Sequence, residues 1–367
     1  MRLTLILTGL LAVFVLLWAM WPSPISPAYW DEPEPPAMTG PFEPDNALAT
    51  ADVFPAGSAG TAEGVAVADN GDVYFGTADG RLRRFRPGAT PSVQDVATVT
   101  DGTILGIGWL RPGVLGVASV HGLYAVDTER GSVTLVSTGA PAHPFGYVYD
   151  LAPLPDGRIV FTDPTTRWGH GSNNPGFYYD LLENRPNGAL YMWDPATHRT
   201  RLLHSRLFHP KGVALGPDGQ SVFVAEAFRY RILRIWTDGP DAGDIDVFAD
   251  NLPGIPAALA MDAEGRLLVT MPGGRSQALA FLHRHPRIAQ ILLKLPAWVS
   301  RGARTAQAFV LALDAQTGAP LDSWHDPDSR LGDLSHITTG PDGALWMGTT
   351  DRGHLVRYEP PARTETR

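Results

Sequence analysis

The chain has 367 residues, which is room for one large all-β domain or two smaller domains. Hydrophobic residues make up 44% and charged residues 18% of the sequence, so a sizeable core can form. The net charge of −9 without a basic tract argues against nucleic acid as a partner, and the absence of cysteine excludes disulfides, thiolate metal sites and cysteine nucleophiles.

The first feature along the chain is an uncharged apolar stretch that follows Arg2 and runs from Leu3 to Trp21. As a helix it is about 28 Å long, close to the hydrocarbon thickness of a bilayer. Residues 1–21 are therefore predicted to be a transmembrane signal anchor, with a single pass and the rest of the chain on the extracytoplasmic side, periplasmic or lumenal. A cleaved signal peptide is the alternative, although Trp21 stands where a cleavage site needs a small residue. The proline-rich residues 22–50 are predicted to be an extended tether.

From residue 51 onward one unit recurs: an apolar strand, a turn rich in Asp and Gly, a second apolar strand, and a third that ends on an aromatic residue or Asp. The copies begin at Glu63, Ile104, Tyr149, Lys211, Ala257 and His336. The Asp-Gly and Glu-Gly pairs suit hairpin turns, because one turn residue takes a positive φ. A unit of short strands cannot bury both faces alone and must stack on copies of itself. Residues 51–367 are therefore predicted to form an all-β domain, a six-bladed β-propeller with about four strands in each blade.

Two insertions interrupt the repeats. The first, from Trp168 to Asn187, is polar and rich in Gly and Asn, and it is predicted to form a loop on one face. The second, at 276–304, carries apolar residues with Arg and His at helical spacing, broken by Pro286. It is predicted to be helical, as a lid across the propeller face or as a segment in the membrane interface. The lipid bilayer is thus an expected partner through the N-terminal helix and, as a second contact, through this segment.

The most specific run of residues lies in the middle of the chain. It comprises Val160-Phe-Thr-Asp-Pro-Thr-Thr166, Gly188-Ala-Leu-Tyr-Met-Trp-Asp194, Gly212-Val-Ala-Leu-Gly-Pro-Asp-Gly219 and Asn251-Leu-Pro-Gly-Ile-Pro256. This pattern resembles the strictosidine synthase-like family, which is related to the gluconolactonase- and paraoxonase-type six-bladed propellers and has membrane-anchored members. The resemblance implies a site where the first strand of each blade meets the central channel.

The resemblance also implies two kinds of chemistry. In the lactonase and esterase relatives, Glu, Asn and Asp side chains hold a Ca²⁺-type ion, which polarises an ester or lactone carbonyl or lowers the pKa of a bound water. In the alkaloid-forming relatives, a channel Glu acts as acid and base without a metal.

This chain departs from the family pattern at most of the corresponding positions. Glu63 matches the Glu ligand of the first blade. The third blade has Tyr149-Asp150-Leu where the family has Asn-Asp-Leu, and Lys211 replaces the Asn of the fourth blade. Ala257 and the alanine after it stand where the fifth blade usually carries Asp-Asn, and His336 takes the place of the cyclase Glu.

These departures leave a poor site for Ca²⁺, which takes about six to eight oxygen ligands. No metal cofactor is therefore expected; Ca²⁺ is implied by the resemblance alone, with Glu63 and Asp150 as the ligands of any residual site. The Lys211 ammonium can pair with Glu63 and replace the ion electrostatically. That pair is either a structural plug or, with His336, a catalytic group. Further residues predicted to line the channel are Tyr149, Asp150, His121 and Ala257.

The remaining histidines, among them His143, His209 and His354, are scattered and are interpreted as surface or hydrogen-bonding residues. The predicted function is hydrolysis of an ester or lactone of a small apolar molecule at the central channel. A non-catalytic propeller that binds a small molecule or a partner is the alternative, and a metal-free lyase or cyclase is a further one.

Overall fold

The structure is a computed structural model that describes residues 6, 7, 9, 10, 13, 17, 18, 20–57, 61–141, 143–169, 176–295 and 308–361. The predicted transmembrane helix at residues 1–21 therefore falls largely outside the described residues. Within the described part, no helix combines the length and the apolar character needed to cross a bilayer.

Six four-stranded antiparallel sheets confirm the predicted propeller. In the first blade the strands are β2 (Glu63–Val67), β3 (Val73–Gly76), β4 (Arg81–Arg86) and β5 (Ser92–Thr98). In the second they are β6 (Ile104–Arg111), β7 (Val114–Ser119), β8 (Gly122–Asp127) and β9 (Val133–Ser137). In the third they are β12 (Leu151–Pro153), β13 (Ile159–Asp163), β14 (Gly188–Asp194) and β15 (Arg199–Leu207).

The second half of the chain continues in the same way. The fourth blade consists of β16 (Pro210–Leu215), β17 (Ser221–Glu226), β18 (Arg231–Trp236) and β19 (Ile245–Ala249). The fifth consists of β21 (Leu259–Met261), β22 (Arg266–Thr270), β24 (Ala308–Asp314) and β25 (Pro320–Asp326). The sixth consists of β26 (Leu334–Thr339), β27 (Leu345–Thr349), β28 (His354–Tyr358) and, as its outermost strand, β1 (Asp52–Pro55). Two small sheets pair β10 (Gly139–Ala140) with β11 (His143–Pro144), and β20 (Gly254–Ile255) with β23 (Gly273–Gly274).

The ring closes through the innermost strands and through β1. The innermost strands contact one another in the order β2, β6, β12, β16, β21, β26 and back to β2. The last blade takes its outer strand from the chain before the first blade, with Val53 opposite Val356. Phe54 then packs against Phe85 and Trp346, at centroid distances of 5.1 and 5.6 Å. The two ends of the propeller are thereby joined in one sheet, which the repeat pattern did not reveal.

The hairpin turns follow the predicted chemistry. Asp156 and Asp218 each accept a hydrogen bond from the backbone N–H two residues on, at 3.1 Å. The glycines that follow them, Gly157 and Gly219, have φ angles of 88° and 66°, a region that side chains with a Cβ adopt only with strain. These aspartates therefore form turns.

The core lies between adjacent blades rather than within any one. One cluster joins Phe223 of the fourth blade to Val269 and Phe309 of the fifth, all fully buried. Another joins Phe75 of the first blade to Leu355 of the sixth. Each sheet thus buries its faces only against its neighbours, as expected for a propeller.

Both insertions contain helices. Helix α1 (Gly176–Glu183) lies in the first insertion, where the sequence predicted a loop, because the Gly- and Asn-rich residues before it obscure an eight-residue helical segment. The second insertion forms α2 (Gln277–Arg284) and α3 (Pro286–Leu292), and the proline starts the second helix. Residues 296–304 of this insertion lie outside the described residues.

Residues 23–34, here called the N-terminal strap, lie against the propeller instead of standing clear of it. The backbone N–H of Ser26 donates to Glu183 Oε1 at 2.9 Å, and that of Trp30 donates to the carbonyl of His283 at 3.2 Å. The Trp30 ring stacks on Tyr230 at 5.9 Å. The strap therefore joins α1, the fourth blade and α2.

Candidate functional site

The starts of the inner strands bring the predicted residues to one end of the central channel. Glu63 opens β2, Lys211 is the second residue of β16 and His336 the third of β26. Tyr149 and Ala257 each lie two residues before the first residue of an inner strand, β12 and β21 respectively. The repeat alignment thus corresponds to a ring of positions around one axis.

His336 and Asp150 meet across that axis. They belong to the sixth and third blades, which are opposite each other in a ring of six. His336 Nε2 lies 3.3 Å from Asp150 Oδ1, and both side chains are buried. His336 Nδ1 accepts a hydrogen bond from the backbone N–H of Val65 at 3.2 Å, and Asp150 Oδ2 accepts one from that of Val213 at 3.1 Å. The pair therefore ties together four blades.

These bonds define the tautomer of the neutral His336 ring. Because Nδ1 accepts a backbone N–H, the proton of the neutral ring lies on Nε2 and is donated to Asp150. Both ring nitrogens are thus engaged inside the protein. This geometry favours a positioning role for His336 over direct proton transfer with a substrate.

Glu63 and Lys211 form the charged part of the site. Glu63 is 9% exposed, and burial raises the pKa of its carboxyl to about 7, although the nearby Lys211 ammonium lowers it. Lys211 Nζ lies 5.1 Å from the centroid of the Tyr149 ring and 5.7 Å from that of Phe177, so the cation is also held by aromatic faces. The Thr162 hydroxyl donates to the Lys211 carbonyl at 2.6 Å, which joins the third and fourth blades here.

A second buried pair, His209 and Asp180, lies beside these residues and was missed in the sequence. His209 Nδ1 is 2.7 Å from Asp180 Oδ2, and both side chains are fully buried. Burial lowers the pKa of His209, and the Lys211 ammonium lowers it further, against the opposing effect of Asp180. The sequence offered one signal for this pair, because His209 stands two residues before Lys211. Asp180 could not be found in the same way, because it lies in α1, within the insertion that was interpreted as a loop.

Asp163 adds another buried carboxyl at the same end. It accepts hydrogen bonds from the backbone N–H groups of Gly146 at 2.7 Å and Thr165 at 3.2 Å. Burial nevertheless raises its pKa to about 7. The pKa of Tyr147 is raised well above its usual value, first by burial and then by the negative charges of Asp180, Asp163 and Glu63. These three acids therefore lie around the Tyr147 phenol.

Two other predicted channel residues are placed differently. The His121 side chain is half exposed and its Nε2 lies 3.1 Å from an Asp101 oxygen at the protein surface. Ala257 is fully buried, and its carbonyl accepts the Gly212 N–H at 2.7 Å. Ala257 therefore contributes backbone contact between blades and no functional side chain.

The donor set does not fit a calcium ion. Among the described residues, no group of three or more His, Cys, Asp or Glu side chains could hold a metal. Both Asp150 oxygens accept hydrogen bonds from N–H groups, Ala257 has no donor, and Lys211 brings a positive charge. The resemblance assigns several positions to the metal. Among them, Glu63 alone has a carboxylate whose oxygens are not already hydrogen-bonded to the N–H groups described above.

A small cavity of about 140 Å³ lies further along the channel. Its wall includes inner-strand residues of all six blades, among them Val65, Asp150, Val213 and His336. The other residues that line the cavity come later in the inner strands than His336 and Asp150. The His336–Asp150 pair therefore lies at the end of the cavity that faces Glu63 and Lys211.

The fold defines the class of protein, a six-bladed β-propeller with a polar cluster at one end of its channel. Solved structures agree: a gluconolactonase from Xanthomonas campestris superposes with a TM-score of 0.59 at 19% identity, covering 91% of this chain and 97% of that one. The calcium-binding protein regucalcin from Agrobacterium tumefaciens gives 0.57 at 15% identity, covering 86% and 98%.

Sequence comparison then identifies the family. Residues 150–240 match the strictosidine synthase profile, and residues 40–85 match the N-terminal profile of strictosidine synthase-like proteins. The adipocyte plasma membrane-associated protein of Danio rerio is 30% identical over 97% of this chain and 88% of its own length, and that of Salmo salar is 31% identical over 95% and 86%. The chain belongs to the strictosidine synthase-like family.

Proposed function

We propose that the protein hydrolyses an ester or lactone of a small, largely apolar molecule at the channel end that carries Glu63 and Lys211. The observation that carries this proposal is a buried carboxyl with a pKa of about 7 beside a lysine ammonium. A general acid or base works best when its pKa lies near the working pH. The gluconolactonase named among the structural neighbours supports the reaction class, although it supplies no residue roles.

The chemistry assigns one role to each residue. Hydrolysis adds water to the carbonyl carbon, breaks the bond to the leaving oxygen and moves a proton from the water to that oxygen. Protonated Glu63 donates a proton to the leaving oxygen, and the Lys211 ammonium stabilises the negative oxygen of the tetrahedral intermediate. His336 and Asp150 position the inner strands, and no step requires a metal.

The surroundings indicate the substrate class. The Lys211 ammonium lies over Tyr149 and Phe177, so the groups next to the reactive carbonyl meet aromatic rings. A small molecule with an apolar body and one ester or lactone group fits these surfaces best.

The test uses the full-length chain in detergent and a panel of esters and lactones. Glu63→Gln keeps the shape of the side chain but cannot exchange a proton, and we expect it to reduce kcat/KM by at least about 100-fold. Lys211→Met is expected to do the same, with partial recovery in Lys211→Arg. Glu129→Gln, at an exposed turn, is the matched control. Unchanged hydrolysis in Glu63→Gln would refute this siting.

A binding function without catalysis is the second candidate. It is supported by the His336–Asp150 pair, whose polar atoms are all used within the protein. In that case the wild-type protein binds members of the same panel without turnover, and Lys211→Met weakens binding.

We further propose that residues 1–21 anchor the protein in a membrane, on the extracytoplasmic side, and that α2 and α3 rest on the bilayer surface. The names of the two relatives reported above associate those proteins with the plasma membrane. Lys294, just after α3, donates to the carbonyl of Trp21 at 2.5 Å, so Trp21 lies beside these helices, and this contact supports the proposal. Phe281, Ile288 and Ile291 on the same helices are 45%, 42% and 36% exposed.

Because the chain has no cysteine, single labels test this orientation cleanly. Ile288→Cys carrying an environment-sensitive fluorophore is expected to be quenched by spin-labelled lipid when the full chain is reconstituted in vesicles. Leu135→Cys, at a more exposed position on β9, is the control and should stay unquenched. Equal quenching at both positions would contradict the proposed orientation.

A further inference from the structure

His209 is held in an unusual backbone conformation. It lies between β15 and β16 with a φ angle of 54°, in the left-handed region that residues with a side chain seldom adopt. The neighbouring backbone is pinned, because the N–H of Phe208 donates to Glu226 Oε1 at 2.8 Å and that of Ala227 donates to the His209 carbonyl at 3.3 Å. Strained residues of this kind persist where the surroundings enforce them, commonly at functional sites.

The hydrogen bonds of Asp180 determine which nitrogen of His209 carries the proton. Asp180 Oδ1 accepts from the Thr165 hydroxyl at 3.2 Å and from Asn187 Nδ2 at 2.8 Å, and Oδ2 faces His209 Nδ1 at 2.7 Å. A carboxylate only accepts hydrogen bonds, so Nδ1 is the donor and Nε2 carries the lone pair. Asp180 thus orients the ring and keeps Nε2 basic.

That basic nitrogen has no hydrogen-bond partner among the described residues, although the side chain is fully buried. Buried polar atoms are nearly always paired, so an orphan acceptor indicates a donor supplied from outside the chain. The imidazole stacks on Phe228 at a centroid distance of 4.1 Å and lies nearly perpendicular to the Phe177 ring at 5.4 Å. These two rings fix the plane of the imidazole.

His209 belongs to the same site as Lys211 and Glu63. The Phe177 ring contacts His209 and also lies 5.7 Å from Lys211 Nζ, measured to the ring centroid. The Lys211 ammonium also lowers the pKa of both His209 and Glu63, so it acts on each of them. Two charged groups thus act on the His209 imidazole: the Asp180 carboxylate, which faces Nδ1, and the Lys211 ammonium.

We propose that His209, oriented by Asp180, is the base that removes a proton from the attacking water. This inference rests on the proposed hydrolysis and completes it. The water oxygen forms the new bond to the carbonyl carbon while its proton passes to His209 Nε2. The bond to the leaving oxygen then breaks as Glu63 donates its proton there, and the proton on His209 returns to Glu63 through solvent. Burial lowers the pKa of His209 and raises the pKa of Glu63. At the same pH, His209 is therefore a neutral base and Glu63 a protonated acid.

The experiment compares His209→Gln, Asp180→Asn and the exposed control His143→Gln in the full-length chain. His209→Gln is expected to reduce kcat by about 100-fold or more with little change in KM. Asp180 is a positioning residue, and Asp180→Asn is expected to move the imidazole proton to Nε2. The ¹⁵N chemical shifts of the ring report that change directly, and a purely packing role for Asp180 leaves them unaltered.

The outcomes separate the two proposals. If the wild type hydrolyses members of the panel and His209→Gln retains its kcat, the assignment of His209 is wrong and the proposed function stands. If the wild type hydrolyses none of them, the proposed function fails and this assignment fails with it. If His209→Gln does not fold, Asp180→Asn decides: full activity with the proton on Nε2 overturns the inference, and loss of kcat with that shift supports it.

Discussion

Asp150 should be among the most sensitive polar positions in the propeller, because three buried donors depend on it. Its carboxylate accepts from the N–H of Leu151 at 2.9 Å, from that of Val213 at 3.1 Å and from His336 Nε2 at 3.3 Å. Asp150→Ala leaves all three unpaired. Each unsatisfied buried donor costs about 1–3 kcal/mol, and water in the neighbouring cavity can reach part of the space, so we expect a loss of about 3–5 kcal/mol.

Asp150→Asn provides a graded comparison. It keeps one oxygen acceptor but turns an NH₂ group toward at least one of the three donors, so we expect a smaller loss of about 1–3 kcal/mol. His336 cannot adapt by moving its proton, because Nδ1 must keep accepting the Val65 N–H.

The assay is urea unfolding of the full-length chain in non-ionic detergent, followed by tryptophan fluorescence. The change in free energy of unfolding is obtained from the shift in midpoint and the slope. Asp241→Ala, at an exposed position, is the control and should lie within about 0.5 kcal/mol of the wild type. A loss below about 1 kcal/mol for Asp150→Ala would refute the argument that this network holds the blades together.

Three further predictions concern other parts of the chain. Burial raises the Glu63 pKa from 4.5 to about 7, so the folded state holds its proton more tightly than the unfolded state, and the stability contributed below pH 4.5 is lost as the pH rises to about 7. Glu63→Gln should remove about 2–3 kcal/mol of the difference in free energy of unfolding between pH 5 and pH 8, measured by urea unfolding at each pH. An unchanged difference would contradict the shift. Phe54→Ala should weaken the closure by about 2–3 kcal/mol in thermal unfolding, whereas Val53→Ala, more exposed on the same strand, should have little effect. Arg275 donates hydrogen bonds to the carbonyls of Pro33 and Leu252, both at 2.8 Å, so Arg275→Ala should release the N-terminal strap. Chymotrypsin should then cleave at the exposed Tyr29 about tenfold faster than in the control Arg199→Ala. Equal cleavage rates in the two variants would show that Arg275 does not hold the strap.

The number of blades and the placement of the candidate residues at the strand starts were predictable because both follow from local patterns. Strand alternation and Asp-Gly turns repeat along the chain, so aligning the copies placed Glu63, Tyr149, Lys211, Ala257 and His336 at equivalent strand starts. The same alignment showed which family ligands this chain lacks. The N-terminal anchor and the hydrolytic activity remain predictions.

Tertiary structure decided the contacts between residues that are far apart in sequence. The pairing of β1 with β28 and the packing of the N-terminal strap join segments separated by hundreds of residues, and neither carries a local pattern. The roles of the histidines depended on the same long-range contacts. His336 resembled a catalyst from its position, yet Val65 and Asp150 engage both of its nitrogens. His209 looked ordinary, yet Asp180 from an insertion orients it, and its Nε2 has no hydrogen-bond partner among the described residues. Sequence determines which side chains are present at each strand start, whereas burial and hydrogen bonding, which set their chemistry, exist only once the blades have closed around them.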